Sequence, residues 1–206
     1  MKKRLGSSDT LFPVPAALVV SGTLAKSNVL AVAWIGIMGS NPPILAISLK
    51  DTRYSLEIIR DTKEFSVNIP KAEHFREIDY CGLVSGRNRN KLADCGFTAI
   101  PSSIIQAPIV VECPYNLECR VIQEIIFNDW VVIFGEIVET HVDANMLNPD
   151  TEKIEISEID PLVYCATIRE YWKLGNRLGF GFNAGKELLR SVRAKQNSLI
   201  TGAKTD

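Results

Sequence analysis

Along most of this chain the apolar residues gather in short runs rich in β-branched and aromatic types, and only a few stretches show helical spacing. Ala16 to Gly22 and Val29 to Gly36 are two such runs, parted by the polar stretch Thr23 to Asn28. They predict two strands joined by a loop. Asn41-Pro42-Pro43 then breaks the chain, because proline fixes φ and removes an N–H donor, and Ile44 to Leu49 resumes as a third strand. Its near-continuous hydrophobicity predicts burial on both faces. Ser55 to Arg60 has a cap and helical spacing, while Phe65 to Ile69 alternates apolar with polar before stopping at Pro70, so a short helix feeds a half-buried strand. Ala72 to Tyr80 carries Phe75 and Ile78 three apart among charges and suits a small amphipathic helix. The basic, glycine-bearing stretch Gly82 to Asn90 reads as an exposed loop.

The clearest long-range pattern is the pair Tyr115 to Ile125 and Trp130 to Val142, both rich in β-formers and meeting at Phe127-Asn128-Asp129. An antiparallel hairpin of long strands is expected there. Asp143 to Asp160 is acidic and polar and reads as a surface excursion. Leu162 to Ala166 and Ile168 to Leu174 restore strand character, and Gly185 to Gln196 has the pattern of a terminal helix. Strands outnumber helices, and the strand-helix alternation of a doubly wound sheet is missing. The expected fold is mainly β, an antiparallel barrel or sandwich with short peripheral helices. One domain over residues 1–206 is the simpler organisation, with its core at about 13–175.

Composition narrows the function classes. With 23 Lys+Arg against 24 Asp+Glu, the formal charge of -1 gives no general attraction to nucleic acid or to an anionic membrane. Any phosphate binding must then be local. The longest apolar run, Val29 to Gly39, falls far short of the ~20 residues that cross a bilayer. Met1-Lys2-Lys3-Arg4 before Leu11 to Val20 superficially resembles a secretion leader, but Asp9, Pro13 and Pro15 interrupt it, and no cleavage is expected. Cys81, Cys95, Cys113, Cys119 and Cys165 are odd in number and irregularly spaced, which fits reduced, buried thiols in a cytoplasm. Without a C-x-x-C and with only two histidines, no zinc site is expected.

Familiar catalytic motifs fail on context. Gly179 to Ala184 satisfies G-x-G-x-x-A, but that fingerprint needs a βαβ unit around it, and the residues to Asp206 leave no room for a second strand. Gly185-Lys186 lacks the earlier glycine of a phosphate loop, and Glu187 replaces its hydroxyl residue. No G-x-S-x-G occurs. His74, on a small helix, and His141, at a strand end, are expected to be solvated and not catalytic.

Several segments taken together are more specific. They are Asn28 to Trp34, Asn41-Pro42-Pro43, Ser48 to Ser55, Glu64 to Pro70, Cys81-Gly82 with Ser85-Gly86-Arg87 and Lys91, Glu112-Cys113, Leu117-Glu118-Cys119, and Tyr171 to Gly175. In this order and spacing the chain resembles the flavin reductase-like, FMN-binding split-barrel family, with the flavoredoxin branch nearest. Asn90 and Leu92 depart from the commoner pattern, which has an acidic residue and Phe there. The resemblance implies a six-stranded antiparallel split β-barrel of Greek-key type. It also implies a homodimer holding one FMN per subunit near the interface, and reduction by NAD(P)H or transfer of electrons through bound FMN to free flavin or a redox partner protein.

An FMN site must hold a doubly charged phosphate, hydrogen-bond the polar edge of the ring and cover its face. The bend after the third strand, with Ser48, Leu49, Lys50, Thr52, Arg53 and Ser55, supplies hydroxyl and cationic donors, and a guanidinium can bind phosphate bidentately. On the residues alone, Lys50 and Arg53 are equally read as solvated charges and Ser55 as a helix cap. The resemblance makes Asn28 a flavin contact, although Asn often only caps its own turn. It sets Ala31, Val32, Ala33 and Trp34 beside the ring, while Trp34 is also read as core. Ser85, Gly86 and Lys91 either bring further donors or form a mobile basic loop. The resemblance also sets Cys81 at the flavin site; on the residues alone it suggests redox thiol chemistry, but without a partner in C-x-x-C spacing it reads rather as a small buried residue. Tyr171 and Trp172 cover the flavin, line a dimer seam or pack in the core. No catalytic acid or base is required, since the cofactor carries the chemistry.

Overall fold

The computed structural model describes residues 1–193. The chain reverses wherever an apolar run is interrupted. After β1 (Val14–Pro15) come β2 (Ala17–Thr23), β3 (Lys26–Val32), β4 (Ile35–Ser40), β5 (Pro43–Lys50), α1 (Tyr54–Thr62) and β6 (Glu64–Ile69). Next are α2 (Phe75–Leu83), α3 (Lys91–Cys95) and the two-residue strands β7 (Ala99–Ile100) and β8 (Ile109–Val110). β9 (Tyr115–Phe127) and β10 (Trp130–Val142) form the long hairpin, and α4 (Ile156–Ile159), β11 (Leu162–Cys165) and β12 (Glu170–Lys173) follow. Seven strands make one antiparallel sheet in the order β3-β2-β6-β9-β10-β5-β4, while β1, β11 and β12 form a second.

The seven strands correct the expected six. The run Val29 to Gly36 is two strands, because the chain bends at Ala33-Trp34: Ile35 N–H donates to Ala33 O and Ser48 N–H to Trp34 O, which starts β4 along β5. No glycine or proline marks that bend, so its apolar residues read as one continuous strand. The supposed loop before Val29 is also mostly strand, with Asn28 paired to Ser21 inside the β2–β3 ladder.

Alternate residues of the sheet point into one core: Ala17 and Val19, Leu30 and Val32, Leu45, Ile47 and Leu49, Phe65 and Val67, Leu117 and Cys119, Val131 and Ile133. Leu56 and Ile59 of α1 plug the same core. The opposite faces of β2 and β3, with Leu18, Val20 and Val29, pack against Ile78 and Cys81 of α2 and Leu92 at α3. β2 is therefore enclosed on both faces, as is β6 over Phe65 to Asn68, whereas β5 keeps Ile44 and Ser48 only half-buried. The 143–160 excursion is anchored rather than free, since Met146 and Ile159 are buried. The hairpin falls as the pattern predicts, with Phe127 opposite Trp130 and Asn128 in the left-handed region at φ 51°.

These elements belong to one compact unit, Met1–Leu174, and Gly175–Asp206 is a second. The latter contains a helix over 186–193, and the remainder of the helix expected to Gln196 lies outside the described residues. No described helix is long and apolar enough to cross a membrane.

Candidate functional site

Two adjoining depressions lie beside β3 and β5, one facing α2, β11 and β12, the other facing the start of α1 and the segment after α2. The first, a cavity of about 260 Å³, is lined by Ala31, Val32, Ala33 and Trp34 from the β3 end, by Ser48, Leu49, Lys50 and Arg53, and by Tyr171 opposite. The second, about 320 Å³, is lined by Asn28, Lys50, Thr52, Arg53, Ser55, Ser85, Gly86 and Lys91. Leu30, Lys50, Arg53 and Leu83 border both, so the two are continuous. One is aromatic-rimmed, the other cationic.

The cationic depression is built by the turn between β5 and α1. Arg53 N–H donates to Lys50 O at 3.0 Å and Asp51 N–H to Asp129 O at 2.9 Å, which ties this turn to the tip of the long hairpin. Arg53, and not Ser55, is the residue that caps α1, and no side chain closes the first turn. Its free N–H groups and dipole therefore face the depression and favour an anion there. Ser55 sits inside the helix and its hydroxyl accepts from Asn28 Nδ2 at 2.7 Å. Asn28 is thus a buried cross-link between β3 and α1, not a self-capping turn residue. A Cβ on Gly86 would stand 1.7 Å from Asn28 Oδ1, so only glycine lets the segment after α2 close over that side chain.

Lys91 is the most unusual member. It is only 3% exposed, and its Nζ donates to one protein acceptor, the Cys81 carbonyl at 2.9 Å. Burial lowers its pKa, and nearby Arg53 lowers it further. A desolvated ammonium beside a guanidinium, without a carboxylate partner among the described residues, favours a bound negative charge. Cys81 reaches neither depression with its side chain and contributes only that carbonyl. The stretch 84–90 is largely exposed, as its pattern predicts, but Lys91 behind it is not.

In the aromatic-rimmed cavity Trp34 is 45% exposed and so is not core. Its ring lies 5.9 Å from that of Trp130, over which Lys50 Nζ stands at 5.7 Å. Tyr171 donates to Asp79 Oδ1 at 3.1 Å, and its ring packs tilted against that of Tyr164 with centroids 5.1 Å apart. Burial, then Asp79, raises its pKa, so the phenol keeps its proton. Trp172 turns away to a neighbouring groove beside Phe75. Reading along the chain missed Asp79, Tyr164 and Trp130. The last had a usable sign, because the first residue after the hairpin turn pairs with Lys50 in the adjacent strand. Both histidines lie elsewhere. His141 is not simply solvated, since Nε2 contacts buried Glu118 at 2.6 Å, and His74 packs edge-on against Phe97.

A cationic depression continuous with an aromatic-rimmed one fits a flat ring carrying a phosphate-ended side chain. The family model for the flavin reductase like domain matches residues 9–173. Flavoredoxin of Desulfovibrio vulgaris (Miyazaki F) superposes with a TM-score of 0.85 at 34% identity, covering 90% of this chain and all of that one. Flavoredoxin from Methanosarcina acetivorans gives 0.84 at 30% identity over 91% of this chain and all of its own. A putative flavin reductase with split barrel domain from Shewanella frigidimarina, at 18% identity, shares the fold with a TM-score of 0.74 over 83% of this chain and 87% of its own. With a family match over most of its length and two flavoredoxins superposing on the whole barrel, the chain belongs to the flavin reductase-like split-barrel family, on its flavoredoxin branch.

Proposed function

We propose that this protein binds FMN and acts as a flavin-dependent oxidoreductase, with NAD(P)H as hydride donor and a free flavin or a redox protein as acceptor. The observation that carries the reading is Lys91, a buried ammonium with a single carbonyl partner, set beside Arg53 and the open end of α1. These groups would hold the phosphate. Asn28 and Ser55 fix the wall between the two depressions. Bound FMN supplies reversible uptake of a hydride or of single electrons. The chain's part is to place the ring between the small residues Ala31 and Ala33 and the Trp34–Trp130 pair, and to limit water there. Lys50 and the Asp79–Tyr171 pair offer polar contacts at its rim, where donors stabilise negative charge that develops on reduction.

Likeness to two flavoredoxins favours a second reading, an electron-transfer module with tightly held FMN and little activity toward pyridine nucleotides. A visible spectrum of the purified protein, loaded with FMN and then mixed anaerobically with NADH or NADPH, separates the two. Rapid bleaching of the flavin band supports the reductase, and inertness toward both nucleotides supports the module. A protein that neither carries nor takes up FMN would defeat both.

The same proposal includes a homodimer and a cytoplasmic setting for the free thiols. Edge strand β4 exposes Ile37 and Met38, and an apolar groove beside it shares Ala33, Trp34 and Ser48 with the flavin chamber. A second copy seated on β4 would border the ring site.

A further inference from the structure

We propose that Cys81 and Cys95 form a site of reversible oxidation, which closes to an internal disulfide when the protein meets a hydroperoxide. Their sulfurs are 3.8 Å apart, the only sulfur–sulfur contact among the described residues, although fourteen positions of chain separate them. No C-x-x-C spacing announces the pair, because it is made by packing α2 against α3. Its two members differ in access. Cys81 is fully buried, while Cys95, at the end of α3, is partly open and its Sγ lies 3.7 Å from Glu77 O. Cys95 is therefore the thiol an oxidant reaches first, and Cys81 the one that resolves.

The chemistry balances with a hydroperoxide as the oxidant. The Cys95 sulfur attacks the terminal peroxide oxygen and the O–O bond breaks. The other oxygen leaves as alcohol or water with the thiol proton, and Cys95 becomes a sulfenic acid. The Cys81 sulfur then attacks that sulfur, the S–O bond breaks, and water departs with the second thiol proton. Two thiols lose two electrons and the peroxide gains them.

The helix ends are suited to the remaining movement. Closing the contact to a bond of about 2.05 Å draws the ends of α2 and α3 together. Gly82 follows Cys81, and Gly96 follows Cys95 in an open left-handed position at φ +69° with nothing within 4 Å of its missing Cβ. Lys91, Glu77 and Asp94 are the charged groups around the pair. Burial foremost, then Cys95, pushes the Cys81 thiol up to about 12, and burial also raises Cys95. Both are protonated at neutral pH, so the pair reacts slowly and persists as thiols until peroxide is in excess.

Oxidation reaches the anion depression through the backbone. Cys81 O is the acceptor of Lys91, and Arg53 Nη1 donates to Gly82 O at 3.5 Å, so the bond displaces the anchors of both cations. A several-fold loss of FMN affinity on oxidation follows, and this part rests on the FMN reading above.

The test uses the whole chain, with and without added FMN, treated with hydrogen peroxide and then alkylated. Non-reducing peptide mapping should show Cys81 joined to Cys95 with loss of two hydrogens and reversal by dithiothreitol. Cys95→Ser should abolish the linked peptide, and Cys165→Ser should leave it intact. Cys95 passing to sulfinic acid while Cys81 still alkylates after unfolding would overturn the site, as would a link through another cysteine. A linked peptide with unchanged FMN affinity would overturn the coupling alone. Failure of both redox forms to take up FMN would overturn the flavin reading and leave the thiol site standing.

Discussion

Lys91 separates two kinds of contribution a side chain can make. Buried with one carbonyl partner, it does little for the empty fold, yet it offers an incoming phosphate a charge already stripped of water. Replacing a desolvated charge by an apolar group of similar shape is often neutral or stabilising. Lys91→Met should therefore leave the melting temperature of the flavin-free protein nearly unchanged, while FMN affinity falls by about 1.5–3 kcal/mol, the worth of a charged hydrogen bond. Fluorescence titration with FMN beside thermal unfolding checks both halves, and a large stability loss with intact affinity would reverse the assignment. Arg53, more exposed, should follow the same direction on conversion to Ala with a smaller loss. Gly86→Ala acts differently: its Cβ would collide with Asn28 Oδ1, breaking the Asn28–Ser55 hydrogen bond. Weaker FMN binding is expected although no charge is touched.

Between elements, the long hairpin carries the most consequential contacts. Glu118 on β9 is fully buried and accepts from the N–H groups of Ser103, Ile104 and Ile105, while His141 of β10 closes the other side. Burial pushes its carboxyl up, but the His141 contact and the three N–H donors outweigh it and hold the pKa below the ordinary value. With the folded pKa below the unfolded one, the network stabilises above the unfolded value, and that contribution is lost as pH falls through the folded pKa. Thermal unfolding followed from pH 7 down to about pH 3 should show this loss. Glu118→Gln should flatten the acid limb and, by leaving donors poorly matched, cost about 3–5 kcal/mol at neutral pH. Farther along β10, a Cβ on Gly135 would come within 2.7 Å of Phe65 Cζ, at a shift in the β9–β10 register. Gly135→Ala should cost roughly 1–3 kcal/mol by overpacking, read as a lower denaturant midpoint. Phe65→Leu in the same chain should recover part of it.

For the whole molecule the edge at β4 bears on assembly, since an edge strand that exposes Ile37 and Met38 invites pairing or must be covered. Met38→Lys together with Ile37→Glu should convert the proposed dimer to a monomer in gel filtration, and unchanged elution would remove β4 from the interface. The short strands, the long hairpin and the absence of strand-helix alternation were legible in the chain, because period-two patterns and turn residues are local. Arg53, Ser55 and Lys91 could be picked out as candidate site residues once the spaced segments were read together. The bend at Ala33-Trp34 was not legible, since apolar residues fit a straight strand as readily as a turn. Neither were Trp130, Asp79 and Tyr164, which join the site from remote elements, nor the meeting of Cys81 with Cys95. The sequence by itself determined the β class, the family and the presence of a cation-rich bend. Tertiary structure alone decided that Lys91 is desolvated, that Asn28 bridges β3 to α1 and that two thiols touch, because burial and long-range contact depend on how elements pack against one another and leave no periodic trace along the chain.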